Sequence, residues 1–307
     1  MDIFLQQIIN GIVLGSVYAL VALGYTMVYG ILGLINFAHG EVVMIGAMVA
    51  LAVINALSGT ALPGPVIVLL GLLVAVPACM ALGYGIERVA YRPLRHAPRL
   101  APLITAIGVS IVLQNSAMII WGREYITFPP LLPSKPHFIA GAAISDLQIF
   151  IVLLAALIMV ALLILVHHTR LGRAMRATAQ SAEVAGLMGV NVNTIISITF
   201  IVGSALAALA GVLVSAYYGL AHYYMGFLLG LKAFTAAVLG GIGNLGGAML
   251  GGLLLGIIES LGAGYIGPLT GGYLGSNYQD VFAFFVLILV LVFRPSGLLG
   301  ERIAERT

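Results

Sequence analysis

Long apolar runs that carry almost no charge constrain this chain more than any other feature of its sequence. The run at residues 147–166, for example, contains no acidic or basic side chain. A helix needs about 20 such residues to cross the hydrocarbon core of a bilayer. Only 7% of the 307 residues are charged and 62% are hydrophobic, which excludes both a soluble globule and a disordered chain. The sequence therefore predicts an integral membrane protein.

The apolar runs divide into nine segments, and we expect about 8–10 transmembrane helices. The runs are continuous, whereas strands of a transmembrane barrel alternate polar and apolar residues. The seventh run is short and flanked by glycine, so a half-span or a re-entrant segment is also compatible with it. The predicted fold class is all-α and polytopic, with one transmembrane domain over residues 1–307. The segments lie near residues 8–31, 42–57, 66–86, 101–121, 147–166, 195–218, 227–240, 248–266 and 281–293.

Glycine is abundant, with 39 residues against a usual share of about 7%. Small residues let helices approach closely in lipid, and glycine-rich stretches accompany broken helices. The run at residues 240–247 predicts a tight turn or a broken helix, because a nucleotide-binding loop would require a preceding strand. Glycines four residues apart predict close helix crossings. These pairs are Gly11 and Gly15, Gly226 and Gly230, Gly247 and Gly251, and Gly252 and Gly256.

Basic residues are concentrated at three places beside the apolar runs. Because Lys and Arg are enriched in cytoplasmic loops, we place the three clusters in the cytoplasm, which leaves Arg123 and Lys135 outside. Nine crossings then put the N-terminus outside and the C-terminus inside. No basic stretch precedes the first apolar run, so this run is expected to be a true membrane span. The small number of basic residues argues against a nucleic-acid partner. The clusters are Arg88, Arg92, Arg95 and Arg99; Arg170, Arg173 and Arg176; and Arg294, Arg302 and Arg306.

Two connections between apolar runs are long enough to carry structure of their own. The outer connection, residues 122–146, contains several prolines and is predicted to be an extended, semi-rigid surface segment. The inner connection, about residues 168–194, has no proline, and its stretch from 172 to 188 is rich in helix-forming residues. We expect a short cytoplasmic helix there.

Polar groups within or beside an apolar run are costly in a bilayer and are functional candidates for that reason. Asn36, His39 and Glu41 form a polar break between the first two runs. One interpretation is a short turn that caps the second helix. The other is an unwound segment at a cavity, where irregular backbone is tolerated.

Lys232 and Glu259 lie inside two later runs. A lysine near a helix end commonly extends its ammonium group to the membrane interface. Alternatively, Lys232 pairs with a carboxylate such as Glu259, which neutralises both charges where the dielectric constant is low. Glu259 falls mid-run and needs a partner or a wet cavity, so it is predicted to belong either to a structural pair or to a pathway.

No group of residues in the sequence is typical of an enzyme or a metal site. Cys79 is the single cysteine and lies within an apolar run. The nucleophile elbow, the zinc-protease motif and the phosphate-binding loop are absent from the sequence. We expect no catalytic residue, no metal and no cofactor bound by this chain. Active transport would then draw its energy from an ion gradient or from a partner's ATPase.

Six longer motifs are distributed over nearly the whole chain. They are Gly-Tyr-Thr-Met-Val-Tyr-Gly at 24–30, Asn-Phe-Ala-His-Gly-Glu at 36–41, Ile-Glu-Arg-Val-Ala-Tyr-Arg-Pro at 86–93, Gly-Arg-Ala-Met-Arg-Ala at 172–177, Lys-Ala-Phe-Thr-Ala-Ala-Val-Leu-Gly-Gly-Ile-Gly at 232–243, and Arg-Pro-Ser-Gly-Leu-Leu-Gly at 294–300. Together they make the chain resemble the membrane permeases of ATP-binding-cassette (ABC) importers for branched-chain amino acids, the high-affinity leucine, isoleucine and valine systems. Permeases for urea and short-chain amides look similar, so the motifs are less specific for substrate.

The resemblance implies an assembly in the bacterial inner membrane. It would contain a second, different permease subunit, two cytoplasmic ATPase subunits that bind the ATP, and a periplasmic substrate-binding protein. Such permeases contact the ATPase through a cytoplasmic coupling helix with the motif Glu-Ala-Ala-x3-Gly. This chain has Val184 in place of the first alanine and lacks the downstream Ile-x-Leu-Pro element. The implied coupling residues are Ala182, Glu183, Ala185, Gly186 and Gly189.

The residues of this coupling segment favour the same placement without the resemblance. They lie on the arginine-rich side, favour helix, and include small residues that let a helix seat in a groove. The alternative is an ordinary amphipathic connector on the membrane surface.

The expected function is that of an ABC permease subunit for branched-chain amino acids, embedded in lipid. An ion-coupled secondary transporter, with Glu41, Glu259 or Lys232 as its proton-linked group, is the alternative from another class. An ABC permease for urea or short-chain amides is the alternative within the same class. The candidate pathway or gate residues are Asn36, His39, Glu41, Lys232 and Glu259.

Overall fold

A computed structural model describes residues 2–300, apart from His96, Arg99, Pro133, Ala140, Gly272, Leu274, Ser276 and Asn277. Three members of the predicted basic clusters, Arg99, Arg302 and Arg306, therefore lie outside the described residues.

The described chain is built mainly of α-helices, as its continuous apolar runs predict. Seven of these helices, α1 to α5, α8 and α10, are long and apolar enough to cross a membrane, and α9 and α11 are shorter apolar helices. These nine match the nine apolar runs, so the predicted all-α polytopic fold is confirmed. The helices are α1 (Asp2–Leu32), α2 (His39–Leu57), α3 (Gly64–Ile86), α4 (Leu100–Trp121), α5 (Asp146–His168), α6 (Arg170–Gln180), α7 (Ala182–Leu187), α8 (Val192–Tyr218), α9 (Met225–Gly240), α10 (Leu245–Leu269) and α11 (Gln279–Phe293).

Two compact units can be distinguished, each assembled from segments distant in sequence. The first contains residues 2–26, 134–159 and 232–300, and the second contains residues 27–132 and 160–231. Each unit therefore depends on helices that meet only after much of the chain has been made. The single transmembrane domain over the whole chain stays a prediction.

In the first unit, α1 crosses α10 at glycines, as the spacing of these residues predicts. A Cβ atom on Gly11 would lie 2.6 Å from the Cα of Ile257, and one on Gly15 would lie 2.7 Å from the Cα of Leu253. No side chain fits between the two backbones at these points. The spacing predicted close crossings without naming partners, and the structure places the Gly11 and Gly15 face against the Gly252 and Gly256 face.

The turn between α9 and α10 also belongs to the first unit. Asn244 caps α10 by accepting a hydrogen bond from the amide of Gly247 at 3.0 Å. The amides of Leu298 and Leu299 donate to the carbonyls of Leu239 and Gly240, each at 2.9 Å. These carbonyls end α9 and have no donor within the helix. The predicted tight turn is confirmed, and the segment after α11 completes its hydrogen bonding.

The second unit has its core between α2, α3 and α8. Met44, Met48 and Leu51 of α2 are fully buried there. A Cβ atom on Gly46 would lie 2.6 Å from the Cα of Ala208 on α8. Close approach of these backbones lets the long side chains of α2 fill the remaining space.

The outer connection contains strands that the proline-rich composition did not predict. The strands β2 (Pro136–Ile139) and β3 (Ala142–Ser145) form an antiparallel hairpin in the first unit. In the second unit, β1 (Ile126–Thr127) pairs with β4 (Leu220–Ala221), which follows α8. The segment is extended, as predicted, and backbone hydrogen bonds hold part of it.

The inner connection forms two helices, α6 and α7, where the sequence predicted one. Ser181 has an extended backbone, with φ −160° and ψ 108°, and separates them. Its hydroxyl accepts a hydrogen bond from the amide of Val184 at 3.3 Å. Serine is a favoured N-cap because its side chain competes for backbone donors. The expectation of one continuous helix is therefore wrong at this residue.

Replacing Gly256 with alanine tests the crossing of α1 and α10. The added methyl group would collide with the backbone of Gly15, so we expect a loss of about 1–3 kcal/mol of stability, the usual cost of overpacking. The fraction of monodisperse protein after heating in detergent measures it. Gly108→Ala on α4 is the matched control, because nothing lies within 4 Å of its added atom. Equal thermal stability of the two variants would contradict the crossing.

Candidate functional site

An ion cluster in the first unit is centred on Lys232 of α9. Its Nζ lies 2.7 Å from Oε1 of Glu259 on α10 and 2.7 Å from Oδ1 of Asp280 on α11. The hydroxyl of Tyr18 on α1 donates to Oε2 of Glu259 at 2.9 Å, and Nζ lies 5.8 Å from the centroid of its ring. Lys232 therefore pairs with Glu259, the second of the two arrangements predicted for it.

Burial makes this cluster energetically demanding. The side chain of Glu259 is 1% exposed and that of Lys232 is 14% exposed. Removing one partner of a buried ion pair leaves an uncompensated charge and costs far more than the pair contributes. Lys232 thus holds α9, α10 and α11 together through opposite charges.

Asp280 is the member of this cluster that the sequence analysis missed. It lies in the first turn of α11, one residue before the last apolar run. The available signal was an acidic residue at the start of a helix, where the helix dipole favours negative charge. That signal is local, so it could not predict that Asp280 pairs with a lysine on another helix.

The polar break between α1 and α2 is a defined turn in the second unit. The Oδ1 atom of Asn36 accepts hydrogen bonds from the amide of Ala38 and from the hydroxyl of Tyr91, both at 3.1 Å. The amide of His39 donates to the carbonyl of Asn36 at 3.0 Å. Asn36 therefore fixes the turn from which α2 begins, and His39 is buried in the first turn of α2.

Glu41 lies in the same turn of α2 and is 1% exposed. Its Oε1 accepts a hydrogen bond from the hydroxyl of Ser110 on α4 at 3.1 Å. Its Oε2 has no hydrogen-bond donor among the described residues. A Cβ atom on Gly226 would lie 2.6 Å from this oxygen, so the glycine provides the space that the carboxylate occupies.

A second ion cluster, which the sequence analysis did not single out, surrounds Glu87. This carboxylate is fully buried, and Arg92 bonds both its oxygens at 3.1 and 3.2 Å. Arg95 also pairs with it, and Ser197 of α8 donates to it at 2.7 Å. Burial lowers the pKa of Arg95, an effect that the adjacent Glu87 opposes, and a guanidinium stays charged in a protein. The arginines were interpreted only as signals of topology, because their partners are distant in sequence.

The predicted coupling segment, residues 182–189, has one buried position and several exposed ones. Ala185 is buried at 4% exposure and seats α7. Ala182, Glu183, Gly186 and Gly189 are exposed, and Gly189 has the left-handed φ of +85° that ends the helix. This surface also contains large apolar residues that the sequence pattern did not predict. Val184, Leu187 and Met188 are 56%, 82% and 80% exposed.

Neutralising the Lys232 cluster one residue at a time tests its energetics. Lys232→Met leaves two carboxylates without a cation, whereas Glu259→Gln leaves Lys232 paired with Asp280. We expect Lys232→Met to cost the most, about 3–5 kcal/mol as for an unpaired buried charge, and the partly exposed Asp280→Asn the least. Thermal unfolding in detergent gives the order. Equal destabilisation by Lys232→Met and Asp280→Asn would refute it.

The sequence of this chain is similar to those of known proteins over nearly its whole length. Residues 7–291 match the family described as branched-chain amino acid transport system / permease component. The chain is 49% identical to the high-affinity branched-chain amino acid transport system permease protein BraD of Pseudomonas aeruginosa, over 99% of this chain and 98% of that protein. It is 46% identical to the corresponding permease protein LivH of Escherichia coli K12, over 99% and 97%.

More distant similarity extends to permeases with other names. The ribose import permease protein RbsC of Escherichia coli K12 is 28% identical over 90% of this chain and 82% of that protein. No solved structure matches the chain. The match over most of the sequence and the full-length similarity to BraD and LivH show that the chain belongs to the family of branched-chain amino acid transport system permease components.

Proposed function

We propose that this chain is a permease subunit of an ABC importer and carries branched-chain amino acids across the bacterial inner membrane. The full-length similarity to two permeases named for this class of substrate supports the proposal. The chain itself binds no cofactor. ATP is bound and hydrolysed by two cytoplasmic ATPase subunits, a second and different permease completes the pathway, and a periplasmic protein delivers the substrate.

One observation carries the energetic part of this proposal, the exposed apolar surface of the coupling segment. Val184, Leu187 and Met188 are exposed beside the charged Glu183. These residues lie in the inner connection, which also contains α6 with its exposed Arg173. Exposed clusters of large apolar side chains mark sites of protein–protein contact. An ATPase groove is the occupant that the family implies for this surface.

The pathway is proposed to involve the polar break and the groups beside it. Asn36, His39 and Glu41 lie at the start of α2, where a small displacement of the turn changes the position of a buried carboxylate. Lys232 and Glu259 remain candidates as well, and their pairing supports a role in holding helices of the pathway together. Tilting of the helices would turn an outward-open cavity into an inward-open one.

Uptake experiments separate this proposal from an ion-coupled transporter. We expect the assembly purified through a tag on this chain to take up radiolabelled leucine only with ATP inside the liposomes and binding protein outside. The chain reconstituted alone should show no uptake when a proton gradient is imposed. Robust gradient-driven uptake by the single chain would refute the ABC assignment. Preferred uptake of urea or acetamide by the assembly would refute the proposed substrate class.

Charge placed on the coupling surface should release the ATPase. Leu187→Asp puts a carboxylate at an 82% exposed position, so the membrane fold is retained while an apolar contact is lost. We expect the ATPase subunits to be missing from the purified assembly, because a central apolar contact costs about 2 kcal/mol or more when it is removed. Ala177→Asp, at an exposed position of α6, is the control and should retain them. Retention of the ATPase by Leu187→Asp would exclude this surface.

A further inference from the structure

A continuous series of polar contacts within the second unit connects the coupling segment to the polar break before α2. These contacts involve the buried Glu87 and Tyr91, which the proposed function leaves without a role. The series has three steps.

The first step joins α7 to α8. The amide of Val190 donates to the carbonyl of Ala185 at 3.0 Å, which folds the chain back on α7. Asn191 then caps α8 by accepting a hydrogen bond from the amide of Thr194 at 3.1 Å. Only the residues from 188 to 191 separate the two helices. A short, hydrogen-bonded link therefore connects α7 to the first turn of α8.

The second step joins α8 to the end of α3. Ser197 of α8 donates to Oε2 of Glu87 at 2.7 Å and accepts from Nη2 of Arg92 at 2.9 Å. Arg95 donates to Oδ1 of Asn193, also on α8, at 2.5 Å. Because Glu87 is fully buried, separating these groups would leave a charge in an apolar environment. The buried ion cluster therefore ties the end of α3 to α8 at this point.

The third step joins α3 to the polar break. Glu87 and Tyr91 are the two ends of a π-helical turn that continues α3. The hydroxyl of Tyr91 donates to Oδ1 of Asn36 at 3.1 Å, and its ring packs against Phe200 with centroids 5.3 Å apart. Short π-helical turns are rare and occur frequently at functional sites. Here Glu87, at the start of the turn, contacts α8, and Tyr91, at its end, contacts the polar break.

We propose that Glu87 and Tyr91 are positioning residues that transmit displacement of the coupling segment to the turn at residues 33–38, and through it to Glu41 on α2. This inference rests on the proposed function, because it requires an ATPase that acts on α7. The buried ion cluster keeps the series stiff, and the π-helical turn is the element that changes arrangement. Coupling between separated sites needs such an element, which both sites bias.

Tyr91→Phe tests the inference, because it removes the bond to Asn36 and retains the ring beside Phe200. In the complete assembly with its partner subunits, we expect ATP hydrolysis close to that of the unmodified protein. Uptake of leucine per ATP hydrolysed should fall by about fivefold or more, the range of an ordinary coupling between sites. Tyr84→Phe is the matched control, since Tyr84 is exposed on α3. It should leave both rates unchanged.

A second readout follows the turn itself. Leu34→Cys places a thiol in the polar break, and the native Cys79 is buried. We expect the rate of maleimide labelling at position 34 to change when vanadate traps nucleotide on the ATPase. Addition of Tyr91→Phe should abolish that change.

The outcomes separate failure of this inference from failure of the proposed function. Unchanged uptake per ATP in Tyr91→Phe, with ATP-dependent uptake intact, overturns the inference and leaves the permease assignment. A proportional fall of uptake, hydrolysis and recovered assembly also overturns it, because that pattern indicates a structural role alone. Gradient-driven uptake by the chain alone overturns both.

Discussion

Hydrocarbon offers no hydrogen bonds, and the arrangement of this chain depends on that constraint. Backbone groups are satisfied inside helices, and two clusters pair buried charges, whereas Glu41 accepts a hydrogen bond from Ser110. Lys232 meets Glu259 and Asp280, while Glu87 meets Arg92 and Arg95. The first cluster joins α9, α10 and α11, and the second joins the end of α3 to α8. The small number of charges therefore gives each one a large influence on which helices are neighbours.

Glycine residues allow the helices to pack closely in the hydrocarbon environment. Association of helices in lipid lacks a hydrophobic driving force, so contact between backbones provides the attraction. Gly15 and Gly256 remove the side chains that would hold α1 and α10 apart. Gly226 provides room for a carboxylate instead of a helix. One residue type thus serves packing in the first unit and accommodates a polar group in the second.

Features that depend on local spacing were predictable from the sequence, and features that depend on distant partners were not. The length of the apolar runs predicted the helices. The four-residue glycine spacing predicted close crossings but not that α1 crosses α10. The pairing of Lys232 with Glu259 was one of two alternatives, because both groups lay within apolar runs. Asp280 and Glu87 were missed, since each is beside a helix end, where a charge is ordinarily solvated. Ser181 divided a predicted helix because its N-cap hydrogen bond starts a new helix, although the composition of the segment favours helix throughout.

The hydrogen bonds that Leu298 and Leu299 donate to the end of α9 have a consequence for biogenesis. The carbonyls of Leu239 and Gly240 receive these donors from residues near the end of the chain. The turn after α9 is therefore completed only after α10 and α11 have been made. A chain truncated after Phe293 would leave both carbonyl groups without these donors. The end of α9 thereby depends on a segment that is synthesised two helices later.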